Sequence, residues 1–239
     1  MGQLFDVDGP VMSGLSKIAD LVILNLLYIF LCVPVFTIGA ATTALYYVTL
    51  KMVRNEECYT IKSFFKSFKQ NFRQATIIWL IFLVAIVAIL MDFRILGSGL
   101  GLATGLSVSV TKTLILMLFV ACVVLSFILS YVFPVLSKFD NTVKNTIKNS
   151  FLMSIKHLPF TIAIIAINIV PFAIFYFVPS AIIFLIISFA LSSFGCSFIF
   201  NKIFSIYIVE KQVTADENFT INQDEDSFLF KSKDEDDNG

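Results

Sequence analysis

The chain has 239 residues, of which 58% are hydrophobic, 14% are charged and 27 are phenylalanine. Soluble domains have about 45–50% apolar and about 25% charged residues, so this composition excludes an ordinary soluble protein. The 17 basic and 17 acidic residues cancel overall, but ten of the acids lie in residues 210–239 with only three lysines. Residues 1–209 therefore carry a net positive charge.

Four long stretches of the chain contain no Asp, Glu, Lys or Arg. They are residues 21–50, 74–91, 113–137 and 157–201. About 20 mostly apolar residues are enough for a helix to cross the roughly 30 Å of hydrocarbon in a bilayer. The pattern predicts an all-α fold, a polytopic transmembrane helical bundle over residues 1–210. The acidic, polar composition of residues 211–239 predicts a disordered cytoplasmic tail.

Residues 21–50 are ambiguous, because thirty helical residues would reach about 45 Å. That length is long for one span and short for two. Pro34 interrupts the helical hydrogen-bond pattern, which favours a hairpin of two short helices over 15–33 and 37–54. The alternative is one kinked span. The hairpin gives six spans and a cytoplasmic N-terminus, whereas the kinked span gives five. The small residues at 39–44 are expected to face protein.

Two basic segments are predicted to form amphipathic helices on the cytoplasmic membrane surface. In residues 61–73, four phenylalanines (Phe64, Phe65, Phe68 and Phe72) share one helical side, and four cations (Lys62, Lys66, Lys69 and Arg73) share the other. In residues 141–156, Val143, Ile147 and Phe151 oppose Lys144 and Lys148. Such helices lie in the interface with the apolar side towards lipid. They are expected to bind a partner or anionic lipid, or only to anchor their loops.

The remaining spans are predicted at 74–93, 110–137, 158–177 and 180–204. Short loops rich in Lys and Arg stay in the cytoplasm, which places loops 51–73 and 138–157 inside. The sparsely charged segment 92–112 and the uncharged turn at 178–180 then lie outside. The acidic tail follows the last span and is also expected inside.

No motif for catalysis, metal binding or nucleotide binding is found. His157 is the only histidine, and it has no evident carboxylate partner for acid–base chemistry. The four cysteines are scattered without a CxxC pair, so they indicate neither a metal site nor a disulfide framework. We therefore expect no enzyme activity, no cofactor, no metal and no nucleic-acid partner.

Several short motifs resemble the YesL-like family of bacterial multi-pass membrane proteins, a family defined by a domain of unknown function (DUF624). They are Phe5–Asp6, Asp20–Leu21, Asn25–Leu27, Pro34, TIGAATTALYYVTLKMVR at 37–54, FFKSFKQNFRQAT at 64–76 and FDNTVKNTIKNSFLMSIKHLP at 139–159. The resemblance implies a bacterial plasma membrane and gene neighbourhoods rich in carbohydrate ABC transporters and two-component regulators. It implies no biochemical activity.

Two functions are consistent with these observations. The first is a non-enzymatic accessory or regulatory protein of carbohydrate uptake, whose partners would be the bilayer and ABC transporter subunits or a sensor kinase. The alternative is a permease or facilitator for a small neutral solute such as a saccharide. Its polar path is predicted from Asn25, Thr42, Thr43, Tyr46, Ser130, Tyr131 and Asn168. The sequence leaves the oligomeric state open.

Overall fold

The computed structural model describes residues 10–56, 59–97, 107–177 and 187–208, and these residues form seven α-helices without a β-strand. The helices are α1 (Pro10–Cys32), α2 (Ile38–Val53), α3 (Thr60–Gly97), α4 (Val108–Lys138), α5 (Val143–Lys156), α6 (Leu158–Phe177) and α7 (Ile187–Ile208). The all-α prediction is confirmed for the described ranges. The predicted acidic tail 211–239 and the turn at 178–180 lie outside them.

The chain divides into two compact units, Met1–Ile199 and Phe200–Gly239. In the second unit, the described residues are the last turns of α7, where the rings of Phe200 and Phe204 stack with centroids 5.5 Å apart. The first unit contains the helices α1 to α6 and residues 187–199 of α7.

By length and composition, α1 (from Gly14), α3, α4 and α7 can each cross a membrane. A fifth candidate is α5 with α6, a pair bent by 105°. The 16 residues of α2 reach about 24 Å, which is less than the roughly 30 Å of hydrocarbon. The predicted helical membrane bundle is confirmed, whereas the count of six spans stays a prediction.

The helices α1 and α2 form an antiparallel hairpin. A short 3₁₀ turn over Val35–Thr37 follows Pro34 and reverses the chain. Near the open end of the hairpin, Lys17 Nζ donates to Asn55 Oδ1 at 2.8 Å. Nearer the turn, the hydroxyls of Tyr28 and Thr42 lie 3.5 Å apart. The chain therefore reverses at Pro34, as the hairpin interpretation predicted, and does not continue as one kinked helix.

The small residues of α2 pack against α3. Gly39 and Ala40 are buried, and a Cβ added to Gly39 would lie only 2.7 Å from both the Ala75 carbonyl oxygen and the Trp79 Cβ. Close approach of two helix backbones requires small side chains at the contact. The prediction that this segment faces protein is confirmed.

The basic segment 61–73 is not a separate surface helix, which corrects the prediction. It forms the first half of α3, which runs through 38 residues from Thr60 to Gly97. Buried positions lie along one side of this half and beyond it, three, eight, three and four residues apart, namely Phe64, Ser67, Ala75, Ile78 and Phe82. The same side of the helix therefore contacts the bundle in both halves, and the helix continues where the apolar stretch begins. Phe64 accordingly packs in the protein core and not against lipid.

The second basic segment does form a separate helix, α5. Its N-cap is Thr142, whose side chain accepts from the Asn145 N–H, a common way to satisfy a free N–H at a helix start. The buried side of α5 is mostly hydroxylic, however, and includes Thr146, Ser150 and Ser154. The predicted apolar side made by Val143, Ile147 and Phe151 is only half-buried.

Candidate functional site

A cavity of about 460 Å³ lies among α1, α2, α3, α4, α6 and the first turns of α7. Small-molecule sites are typically clefts of about 300–1,000 Å³ with mostly apolar walls and a few placed polar groups. The cavity therefore has the size and the position, between the helices of a bundle, of a ligand site.

The described lining residues combine aromatic and aliphatic side chains with hydroxyl and amide groups, and none carries a charge. The aromatic residues are Tyr28, Tyr46, Trp79, Phe133, Phe172 and Phe189. The hydroxyl and amide residues are Thr42, Ser126, Ser130, Asn168, Ser192 and Ser193. Such a wall suits a neutral molecule that has both a ring face and polar substituents.

Three of the lining hydroxyls already donate their protons to the backbone of their own helix. Thr42 Oγ1 donates to the Ile38 carbonyl at 2.7 Å. On α4, Ser126 Oγ donates to the Val123 carbonyl and Ser130 Oγ donates to the Ser126 carbonyl, each at 2.8 Å. Each hydroxyl oxygen keeps acceptor capacity. These groups are therefore best suited to receive hydrogen bonds from a ligand.

A polar cluster joins α2, α6 and α7 at the cavity wall. The Tyr46 hydroxyl interacts with the Asn168 side chain and with the Cys196 thiol. Asn168 Nδ2 donates to the Ile164 carbonyl at 2.8 Å and lies 3.5 Å from Cys196 Sγ. Because Asn168 is held on both sides, its amide has a defined orientation at the cavity.

The structure brings together four of the seven residues predicted for a polar path, namely Thr42, Tyr46, Ser130 and Asn168. The other three have structural contacts elsewhere. Asn25 Oδ1 accepts from the Ala190 N–H at 2.9 Å, Thr43 donates to the Gly39 carbonyl, and Tyr131 lies 3.0 Å from the Thr161 hydroxyl.

Sequence reasoning missed much of the cavity wall, including Tyr28, Trp79, Ser126, Ser192 and Ser193. Small hydroxylic residues in apolar helices are common, and nothing in their spacing shows which side of a helix faces a cavity. The buried cluster of Thr49 with Ser193 and Ser197, at 3.1 and 2.8 Å, was also missed. A serine repeat at i and i+4 on α7 is the one sequence signal for it.

The six predicted docking cations, Lys62, Lys66, Lys69, Arg73, Lys144 and Lys148, are exposed. His157 lies at the bend between α5 and α6, where partial burial and the nearby Lys156 charge lower its pKa and favour the neutral imidazole. Within the described ranges, no group of three or more His, Cys, Asp or Glu side chains is placed to hold a metal ion.

Fold and cavity together define a polytopic helical membrane protein with a ligand-sized site between its helices. Residues 21–93 match the model of a family described as "Protein of unknown function, DUF624", which includes the YesL-like proteins. The resemblance inferred from the sequence is confirmed over this stretch. No curated protein and no solved structure matches the chain.

Proposed function

We propose that this protein binds a small, neutral, hydroxyl-rich solute in the cavity and acts as a non-enzymatic accessory or regulatory component of carbohydrate uptake. The observation that carries the proposal is the uncharged wall, in which hydroxyls and one amide are placed among aromatic and aliphatic side chains. A saccharide or glycoside matches it, because such a molecule offers an apolar ring face and several O–H donors.

The state of the hydroxyls supports a donor-rich ligand. Thr42, Ser126 and Ser130 use their own protons within the helices, so the ligand must supply the hydrogen for any further bond. Each neutral hydrogen bond contributes about 0.5–1.5 kcal/mol. The association with carbohydrate uptake rests further on the implication of the family resemblance.

A direct test is calorimetric titration of the purified full-length protein in neutral detergent with a panel of neutral monosaccharides, disaccharides and methyl glycosides. Each sugar is paired with its uronic acid. The neutral member is expected to bind and the acid is not, because an unpaired carboxylate would be buried against a wall without cations. Absence of binding across the panel would refute the proposal. Recovery of the unmodified sugar after incubation is the expected sign that no reaction takes place.

A variant pair tests the location of the site. Thr42→Val removes a lining hydroxyl and is expected to weaken binding by roughly two- to tenfold. Thr113→Val is the matched control, because Thr113 makes the same kind of bond, to the Ser109 carbonyl, from an exposed position on α4. Equal effects of the two variants would place the ligand elsewhere.

The alternative is a facilitator that moves the solute by itself. The uncharged cavity wall gives no site for ion coupling within the described residues, and ion-driven carriers usually carry ionisable residues inside the membrane. Reconstitution into liposomes distinguishes the two functions. Binding without flux, together with recovery of ABC transporter subunits or a sensor kinase in a native pull-down, is expected for the accessory protein. Flux by the pure protein would establish the facilitator.

A further inference from the structure

A stripe of four cations runs along the first half of α3, away from the cavity. Lys62, Lys66, Lys69 and Arg73 follow each other at spacings of four, three and four residues, which places them on one side of the helix. All four are exposed. From the first to the last the stripe extends roughly 16 Å along the axis.

Within the described ranges, no acidic side chain neutralises the charges of this stripe. Among the described residues, none of the four is in an ion pair, in contrast to Arg54, whose Nε lies 2.8 Å from a Glu56 carboxylate oxygen. The start of α5 lies next to the stripe, because Gln74 Nε2 donates to the Asn141 carbonyl. Lys144 and Lys148 of the same helix α5 are also exposed.

Apolar side chains are exposed at the same end of the molecule. Ile61 and Phe65, one position before Lys62 and Lys66, are 51% and 38% exposed. On α1, Leu15 and Ile18 are 59% and 52% exposed. The hydrogen bonds of Lys17 to Asn55 and of Thr60 to Asp20 bring the start of α1 beside the start of α3.

Exposed apolar groups and unpaired cations on one surface are typical of a membrane interface. If this surface faced only water, its apolar groups would be exposed to solvent. If it faced only hydrocarbon, its charges would have no polar partners. The stripe also ends where the charge-free stretch 74–91 begins within the same helix. That stretch is about 27 Å long, close to the thickness of the hydrocarbon, so Arg73 falls at its edge.

We propose that this stripe binds the phosphate headgroups of anionic phospholipids. The guanidinium and ammonium groups pair with the phosphodiesters, and Ile61 and Phe65 contact the upper part of the acyl chains. A cation near an anionic membrane surface strengthens binding by roughly fivefold. The inference does not depend on the cavity or its ligand.

The test uses the full-length protein in neutral detergent, titrated with phosphatidylglycerol or phosphatidylcholine at low and high salt. Bound lipid is counted by native mass spectrometry. The wild type is expected to prefer phosphatidylglycerol by at least about tenfold at low salt, and the preference should shrink at high salt because ions screen exposed charges.

The variant K62Q/K66Q/K69Q/R73Q is expected to lose most of this preference, and the milder K66Q/K69Q part of it. The control R94Q/K112Q removes two exposed cations at the other end of the charge-free stretches and should retain the preference. Gel filtration and thermal unfolding verify that each variant is folded. An unchanged preference in both stripe variants would overturn the proposal. The proposal would also be overturned if the wild type showed no lipid preference and a co-purifying protein partner were lost in K66Q/K69Q. The stripe would then bind protein.

Discussion

The contact between α2 and α3 at Gly39 can be tested by adding a single methyl group. In Gly39→Ala, the new Cβ would lie 2.7 Å from the Ala75 carbonyl oxygen and from the Trp79 Cβ, and 3.0 Å from Phe133 Cε1. The carbonyl is backbone and cannot rotate away. The helices must separate by about 0.7 Å to restore an ordinary contact, and overpacking of this kind costs about 1–3 kcal/mol.

The change also has a favourable part, because alanine is better than glycine in a helix by about 0.5–1 kcal/mol. Subtracting the middle of one range from the middle of the other gives an expected net loss of about 1.3 kcal/mol. Gly195→Ala is the matched control, because its Cβ would meet only Ile167 Cγ2 at 3.8 Å, an ordinary contact. That variant should be neutral or slightly stabilised.

Thermal unfolding in detergent, followed by gel filtration of the remaining folded protein, measures both variants. Gly39→Ala should lower the midpoint by about 2–8 °C, whereas Gly195→Ala should leave it unchanged or raise it. If Gly39→Ala were as stable as the control, α2 and α3 would not approach each other as described, and the close packing of the hairpin on α3 would be wrong.

Two further predictions concern buried polar contacts and use the same unfolding assay. Asn25→Leu should destabilise the protein by about 1–3 kcal/mol, because the buried Ala190 N–H of α7 loses its acceptor. The control Asn71→Ala, at a half-exposed position of α3, should change stability by no more than about 0.5 kcal/mol. Equal midpoints would show that Asn25 does not hold α7. Tyr131→Phe should cost about 0.5–1.5 kcal/mol, because it removes the hydrogen bond to the Thr161 hydroxyl. The control Tyr59→Phe, at an exposed position, should have no measurable effect. If Tyr131→Phe were as stable as the wild type, the contact between Tyr131 and Thr161 would be contradicted.

The sequence predicted the helices well because the apolar signal is long and strong. Pro34 predicted the reversal of the chain, and the small residues near Gly39 predicted a helix contact. The separate surface helix at 61–73 was wrong for a physical reason. A basic amphipathic segment has the same pattern whether its apolar side meets lipid or protein, and Phe64 meets the protein core.

The candidate site was only partly predictable. Thr42, Tyr46, Ser130 and Asn168 were selected because a neutral solute would need polar groups between the spans, and the structure places all four at the cavity. Asn25 was selected in the same way, but its side chain accepts a hydrogen bond from the Ala190 N–H of α7. Residue type shows that a polar group needs a partner, and only the fold shows whether that partner is protein or a ligand.

Trp79 gives the protein a built-in optical reporter. It is the only tryptophan in the chain, its indole N–H donates to the Val35 carbonyl at 2.7 Å in the hairpin turn, and its side chain lines the cavity. Intrinsic emission excited at the indole band therefore originates from one place that senses both the turn and the cavity. Occupancy of the cavity and movement of the hairpin become visible as spectral shifts without any attached dye.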